Sequence, residues 1–164
     1  MIRALAVAGG IAGAVTLSQF PEFSQQYLQR LSGAVDELRL VTAAFDLTAQ
    51  AAGLSREEAL AQIGDTAFAQ DLRGNIAGNI NRYERLAADY QALAGVEPLS
   101  RLARFWHFRD VDLAQRTWED FRPAVPVTAD GLIFAGIGFG AGWRVVSLLL
   151  GLLARPFRRR RYAA

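Results

Sequence analysis

The chain has 164 residues, of which 52% are hydrophobic, and its formal net charge is +2. This length allows one compact region of about 100 residues in addition to membrane segments. The absence of cysteine excludes disulfides, thiolate metal sites and a thiol nucleophile. Residues 22–126 contain 15 acids and 11 arginines and so carry a net charge of −4, which places the positive charge near the two ends and argues against a nucleic-acid-binding surface.

The N-terminal segment follows Arg3 and is uncharged through residues 4–20. Its length lies close to the minimum for a helix that crosses a bilayer. A cleaved signal peptide is the alternative interpretation, because residues 12–14 (Ala-Gly-Ala) resemble a cleavage site. We expect an uncleaved anchor, with residues 1–20 as a transmembrane helix and the following residues exported.

Pro21 starts or kinks the next helix. Apolar residues then recur at alternating spacings of three and four, which indicates one buried helix face. Gly53 is a natural stop, and Ser55 with Glu58 has the form of a capping box. The face consists of Leu28, Leu31, Val35, Leu38, Thr42, Phe45, Ala49 and Ala52.

A second long helix is predicted over residues 56–93, antiparallel to the first because the connection is short. Gly95 and Pro98 end it. Residues 99–121 are rich in aromatic side chains and predict one or two shorter helices, with Asp110 as an N-cap. Residues 21–127 are therefore expected to form a periplasmic all-helical domain. The apolar face of the second helix is predicted to consist of Leu60, Ile63, Ala67, Leu72, Ile76, Ile80, Tyr83, Ala87 and Tyr90.

The most apolar stretch is residues 132–153, which contain one charge, Arg144. A helix of this length covers roughly 33 Å, about the thickness of the hydrocarbon core of a bilayer. We expect a transmembrane helix over residues 128–154, with Thr128 and Asp130 capping its start, and a basic cytoplasmic tail over residues 155–164. By the positive-inside rule, both termini then lie in the cytoplasm.

Three stretches resemble a known family: LSQFPEFSQQYLQRL (17–31), RYERLAADYQAL (82–93) and FRPAVPVTADGLIFAGIGFGAGW (121–143). The sequence resembles the proteobacterial membrane family known as domain of unknown function 2937. The resemblance covers nearly the whole chain. It implies a two-span bacterial inner-membrane protein with no assigned activity, and it supplies no functional residues.

Glycines in the two spans recur at the four-residue spacing that lets helix backbones touch. The partner of these glycines is either the other span of the same chain or a span of a second copy. The pairs are Gly9/Gly13, Gly136/Gly140 and Gly138/Gly142.

Arg144 lies about 13 Å along the helix axis from the cytoplasmic end of the span. An arginine near the middle of a span costs roughly 2.5–3.5 kcal/mol on insertion scales. It either extends to the lipid phosphates or pairs with an acid or a carbonyl of a partner subunit. The tail arginines predict cytoplasmic orientation and contact with anionic lipids; they are Arg155, Arg158, Arg159, Arg160 and Arg161.

Catalytic signatures are missing from the sequence. His107 is the single histidine, and no zinc-binding spacing, nucleophile elbow or phosphate-binding loop occurs. We therefore expect an all-α, non-enzymatic bacterial inner-membrane protein without a cofactor or a metal. Its partner is expected to be another membrane protein or a second copy, in an accessory or scaffold role. The alternative is a module for periplasmic sensing or signalling that lacks its own output domain.

Overall fold

The computed structural model describes residues 2–125 and 127–159. Over these residues the chain is all α-helical without a strand, which confirms the predicted fold class. The elements in chain order are α1 (Ile2–Ser18), α2 (Phe20–Ala51), α3 (Arg56–Gln62), α4 (Ala67–Leu93), α5 (Pro98–Leu102), a 3₁₀ helix (Phe105–His107), α6 (Val111–Glu119) and α7 (Ala129–Arg159). Two helical segments are long and apolar enough to cross a membrane, one near the N-terminus and the other in α7.

The elements form two compact units that do not follow chain order. The first unit combines Met1–Gln25, Glu97–Ala103 and Phe121–Ala164, and therefore contains α1, α5 and α7. The second unit combines Gln26–Val96 and Arg104–Asp120, and contains most of α2 together with α3, α4, the 3₁₀ helix and α6.

The predicted end of α2 is confirmed at Gly53. This glycine has a φ of +72°, in the left-handed region that lacks a steric penalty only for glycine. The next amide, on Leu54, donates to the carbonyl of Ala49 at 2.9 Å, as in a glycine-terminated helix. The capping box is also present, because the Ser55 hydroxyl accepts the Glu58 amide at 3.2 Å and the Glu58 carboxylate accepts the Ser55 amide at 2.8 Å.

Two further predicted caps are present. Asp110 accepts the amide of Leu113 at 3.0 Å and so starts α6. The hydroxyl of Thr128 accepts the amide of Gly131 at 3.2 Å, immediately before α7 begins. Both bonds satisfy amides that have no partner within their own helix.

The prediction of one continuous helix over residues 56–93 is wrong. The chain leaves the helix at Ile63 and starts again after Thr66, whose hydroxyl accepts the amide of Ala69 at 3.2 Å. Gly64 is a poor helix former. Thr66 is more favourable at the start of a helix, where its hydroxyl can accept an end amide, than in a helix interior. The guanidinium of Arg73 donates to the carbonyl of Ile63, which fixes the break.

The core of the second unit joins α2, α4 and α6. The predicted face of α2 is confirmed, since its residues are buried or half-buried except Ala52. The predicted face of α4 is wrong at its start, where Ala67 and Leu72 are exposed, and the fully buried side of α4 lies further along the helix. The buried core residues are Tyr27, Leu28, Leu31, Leu86, Leu93 and Leu113.

Polar contacts join the pieces of the first unit. The Arg101 guanidinium of α5 donates to the Ser24 hydroxyl at 3.3 Å and to the Gln25 side chain at 3.2 Å, both in the first turns of α2. The Gln19 side chain bonds both the amide and the carbonyl of Ala124 at 3.1 Å. These contacts hold α5 and the extended segment before α7 against the start of α2.

Candidate functional site

The first unit is built on direct contact between α1 and α7. Gly9 lies against Val146 and Gly142, whereas Gly13 lies against Gly138. Because the partner number falls as the α1 number rises, the two helices are antiparallel. Of the three glycine pairs named from the sequence, Gly9/Gly13 and Gly138/Gly142 therefore lie against each other within this chain.

The approach of these helices is close enough to require glycine. A Cβ atom at Gly13 would overlap the carbonyl oxygen of Gly138, and one at Gly142 would overlap the carbonyl oxygen of Gly9. Such backbone contact is typical of small-residue interfaces in membranes, where dispersion forces replace the hydrophobic effect. Beside this interface, the start of α2 also contacts α7, with the tilted rings of Phe20 and Phe134 at a centroid distance of 5.3 Å.

The third pair, Gly136 and Gly140, makes no such contact. A Cβ atom at either position would have no other atom within 4 Å apart from the helix's own neighbouring backbone. These two glycines therefore leave a backbone surface of α7 uncovered within the described chain. Neighbouring Ile133 and Ile137 are about half exposed, at 48% and 47%. We call Gly136, Gly140 and Ile133 the free face of α7.

Arg144 lies one turn beyond Gly140 and is exposed. Within residues 2–125 and 127–159 it has no hydrogen bond or ion pair with another side chain. The sequence of α1 contains no acid, and the only acid of α7 is Asp130, 14 positions earlier and about 21 Å away along the axis. An acidic partner for Arg144 cannot therefore come from either span of this chain.

The helical backbone of α7 continues through Arg155, Arg158 and Arg159, further than the predicted span. The side chains of these three residues, and the whole of Arg160 and Arg161, lie outside the described part of the structure. The predicted contact of these arginines with anionic lipids stays a prediction.

The family model described as "Protein of unknown function (DUF2937)" matches residues 1–159. The chain belongs to this family. No curated protein and no solved structure matches the chain. The chemistry of this DUF2937 protein therefore has to be argued from its own side chains.

The second unit of the DUF2937 protein contains a buried ionic cluster around Asp89. Its side chain is 2% exposed, and both of its oxygens are engaged. Oδ1 lies 2.7 Å from Nδ1 of His107, and Oδ2 accepts Nε–H of Arg109 at 2.9 Å. The cluster ties α4 to the segment between α5 and α6, which gives His107 a structural contact. Over the described residues, no three histidine, aspartate or glutamate side chains are grouped to hold a metal ion.

Tyr27 is fully buried beside this cluster. Burial raises the pKa of its hydroxyl to about 12, and the neighbouring carboxylate of Asp110 contributes in the same direction. The hydroxyl is buried without a hydrogen-bond partner in the described structure. Tyr27 is therefore a neutral core residue at physiological pH, and we assign it no catalytic role.

Asp89 was not among the residues predicted from the sequence to be important. The available signal was its position between Leu86 and Leu93, since a helix brings residues three and four apart onto one face. A charged residue on an apolar face indicates a buried ion pair, and the arginine that pairs with it lies 20 positions later.

Proposed function

We propose that this DUF2937 protein is a non-enzymatic subunit of a bacterial inner-membrane complex, in which the free face of α7 binds a membrane helix of a partner. The observation that supports this proposal is the difference between the glycine pairs of α7. Gly138 and Gly142 are covered by α1, whereas Gly136 and Gly140 have nothing against them. A helix of the partner with small residues at matching positions would cover this face in the same way.

Arg144 supports the same proposal through its charge. It lies on the continuation of the free face, because residues 136, 140 and 144 are spaced by four. Its insertion costs roughly 2.5–3.5 kcal/mol when it has no partner in the membrane. A carboxylate on the partner helix, one turn from its small residues, would offset this cost by a bidentate contact with the guanidinium.

The orientation that we propose places both termini in the cytoplasm and residues 22–126 in the periplasm. The antiparallel packing of α1 and α7 brings the start of α1 and the end of α7 to the same end of the first unit. The arginines after residue 154 favour the cytoplasmic side for this end.

The experiment introduces a bulky side chain into the free face and compares it with a neighbour on the same helix. Gly140→Leu fills the proposed interface, whereas Ala141→Leu adds a similar side chain to an exposed position about 100° around the helix. Each variant is purified in mild detergent from its native membrane, and the co-purifying proteins are quantified. We expect Gly140→Leu to lose its partner while Ala141→Leu keeps it.

Arg144 is tested in the same assay. If a partner carboxylate binds Arg144, Arg144→Leu leaves that carboxylate unsatisfied at a cost of about 1–3 kcal/mol, and the recovery of partner should fall about tenfold. Arg144→Lys should recover part of it, because lysine keeps the charge without the planar fork. Unchanged partners in both Gly140→Leu and Arg144→Leu would contradict the proposal.

A second candidate function is periplasmic sensing. One observation favours it, a polar pocket of about 370 Å³ in the second unit that is lined by three arginines. Sensing predicts that a ligand of the second unit changes the association of the spans, whereas a scaffold associates equally well with and without a ligand.

A further inference from the structure

The polar pocket of the second unit lies where the middle of α4 meets the start of α6. It has a volume of about 370 Å³, which is the size of a site for a small organic molecule. Charged side chains dominate its wall. The lining residues are Arg82, Arg85, Leu86, Asp89, Arg109, Asp110, Val111 and Asp112.

Two of the three arginines keep donors available for a ligand. Arg85 has no hydrogen bond or ion pair in the described chain. Arg109 uses its Nε–H for Asp89, and within the described residues its two terminal nitrogens form no hydrogen bond or ion pair. A guanidinium presents donors in a planar fork that matches the oxygens of carboxylates and phosphates.

The buried Asp89 holds Arg109 in place, so that one donor of the pocket has a fixed orientation. The Asp89 carboxylate is 2% exposed and is held by His107 from one side, so its other oxygen orients Arg109. An arginine that is fixed in this way loses less conformational entropy when it binds a ligand.

The start of α6 supplies further donors to the same pocket. The amides of Val111 and Asp112 are the first two of the helix, and in the described structure they donate no hydrogen bond to a carbonyl. Free amides at a helix N-terminus attract anions through the helix dipole. The residues that line the pocket therefore supply both side-chain and backbone donors.

The three aspartates of the pocket equal its three arginines in formal charge, but they leave Arg85 without a hydrogen bond or ion pair among the described residues. Asp89 pairs with Arg109, and Oδ1 of Asp110 accepts the Leu113 amide at 3.0 Å and an Arg82 nitrogen at 3.3 Å. The third carboxylate, of Asp112, is 68% exposed and lies 3.7 Å from Arg82. All three carboxylates oppose an anion by charge, and Asp112 is the most exposed of them.

We propose that this pocket binds a small molecule through a carboxylate or phosphate group, held between Arg85, Arg109 and the first amides of α6. The group belongs either to a free anion or to the headgroup of an anionic lipid. The site lies in the second unit, so it does not depend on the proposed partner helix at α7.

The test is isothermal titration calorimetry on the full-length protein in a neutral detergent, at constant ionic strength. The titrants are sodium phosphate, sodium succinate and dihexanoyl phosphatidic acid, with sodium chloride as the blank. Saturable binding of at least one oxyanion is expected. Binding of phosphate or succinate assigns a free anion as the source, and binding of the short lipid alone assigns a headgroup. Heats that match the chloride blank for all three titrants would overturn the proposal.

Variants locate the binding. Arg85→Gln should weaken it about tenfold, because a hydrogen bond to a charged group is lost, while no hydrogen bond or ion pair among the described residues is removed. Arg39→Gln is the matched control, since Arg39 is 62% exposed and pairs only with Asp36 on α2. Equal weakening by both changes, or none by Arg85→Gln, would refute the site.

A substitution that strengthens binding distinguishes a specific site from general attraction between charges. Asp112→Asn removes the most exposed of the three pocket carboxylates and should tighten binding by about threefold, as expected for an exposed pair of charges. Asp36→Asn removes the same charge from α2, where the Asp36 side chain is 64% exposed. This variant should leave the affinity for the anion unchanged. The same tightening in both variants would contradict the proposal.

Discussion

The packing of α1 against α7 can be tested by adding one methyl group at two glycines of the same helix. Gly138→Ala places the new carbon in the carbonyl oxygen of Gly13 and 2.8 Å from Cβ of Leu17. Gly136→Ala places it in open space. Both changes improve helix propensity by the same amount, about 1 kcal/mol in water, so propensity cancels in the comparison.

The difference between the two variants then measures the packing of the helices. Ordinary contact between carbons needs about 3.5 Å, so the backbones must separate by roughly 0.7 Å at Leu17 and by more at Gly13. Overpacking by one methyl group in a well-packed interior typically costs about 1–3 kcal/mol. We therefore expect Gly138→Ala to have a free energy of unfolding about 1–3 kcal/mol below that of Gly136→Ala.

The assay is equilibrium unfolding in mixed micelles with increasing sodium dodecyl sulfate, followed by far-ultraviolet circular dichroism and by tryptophan fluorescence. Trp143 lies on α7 and reports its surroundings. Equal unfolding free energies for the two variants would show that the backbones of α1 and α7 do not touch. A larger loss for Gly136→Ala would mean that the two glycine faces have been exchanged.

Three further predictions concern topology, core packing and pH. A cysteine at position 62 should react with an impermeant reagent in intact spheroplasts and one at position 163 should not, and the reverse pattern would invert the proposed orientation. Leu31→Ala should cost about 2–5 kcal/mol of unfolding free energy because this side chain is fully buried. Leu40 lies on the same helix and is 68% exposed, so Leu40→Ala should lower the unfolding free energy by less than about 0.5 kcal/mol. Both values are measured by denaturant unfolding, and equal losses for the two variants would refute the assignment of the buried face of α2. The pKa of Tyr27 is raised to about 12 in the folded state. Below pH 10 the hydroxyl is therefore neutral in both the folded and the unfolded state, and its contribution to stability is fully present. Between pH 10 and pH 12 the unfolded state ionises first, so the free energy of unfolding should fall by about 2–3 kcal/mol. Tyr27→Phe should remove this loss, and an unchanged pH profile would exclude Tyr27 as its cause.

Local signals in the sequence predicted the helix ends well. Gly53, the Ser55–Glu58 box and the caps at Asp110 and Thr128 each act within a few residues, so the sequence contains all that is needed to recognise them. The buried face of α4 was harder. Asp89 makes that face look polar until its partners His107 and Arg109, which come from a distant part of the chain, are known.

The glycine faces of α7 show a second limit of the sequence. Gly136/Gly140 and Gly138/Gly142 have identical spacing, and nothing in the spacing says which pair meets α1. The choice depends on the rotation of α7 about its axis, which contacts such as the one between Phe20 and Phe134 determine. The pocket arginines depend on the fold in the same way, because Arg85 and Arg109 belong to different elements.

The contact between α1 and α7 can form only after the whole of α7 has been synthesised. About 110 residues separate the end of α1 from the start of α7, and at about 5–20 residues per second the ribosome needs roughly 6–20 s to produce them. In the membrane arrangement that we propose, Gly9 and Gly13 of α1 face lipid during this interval, because their partner helix has not yet been made. A finished copy whose α7 diffuses past can occupy that groove first, which is the geometry of a domain swap. The rate of synthesis and the crowding of ribosomes at one membrane patch therefore help to decide which α1 each α7 finds.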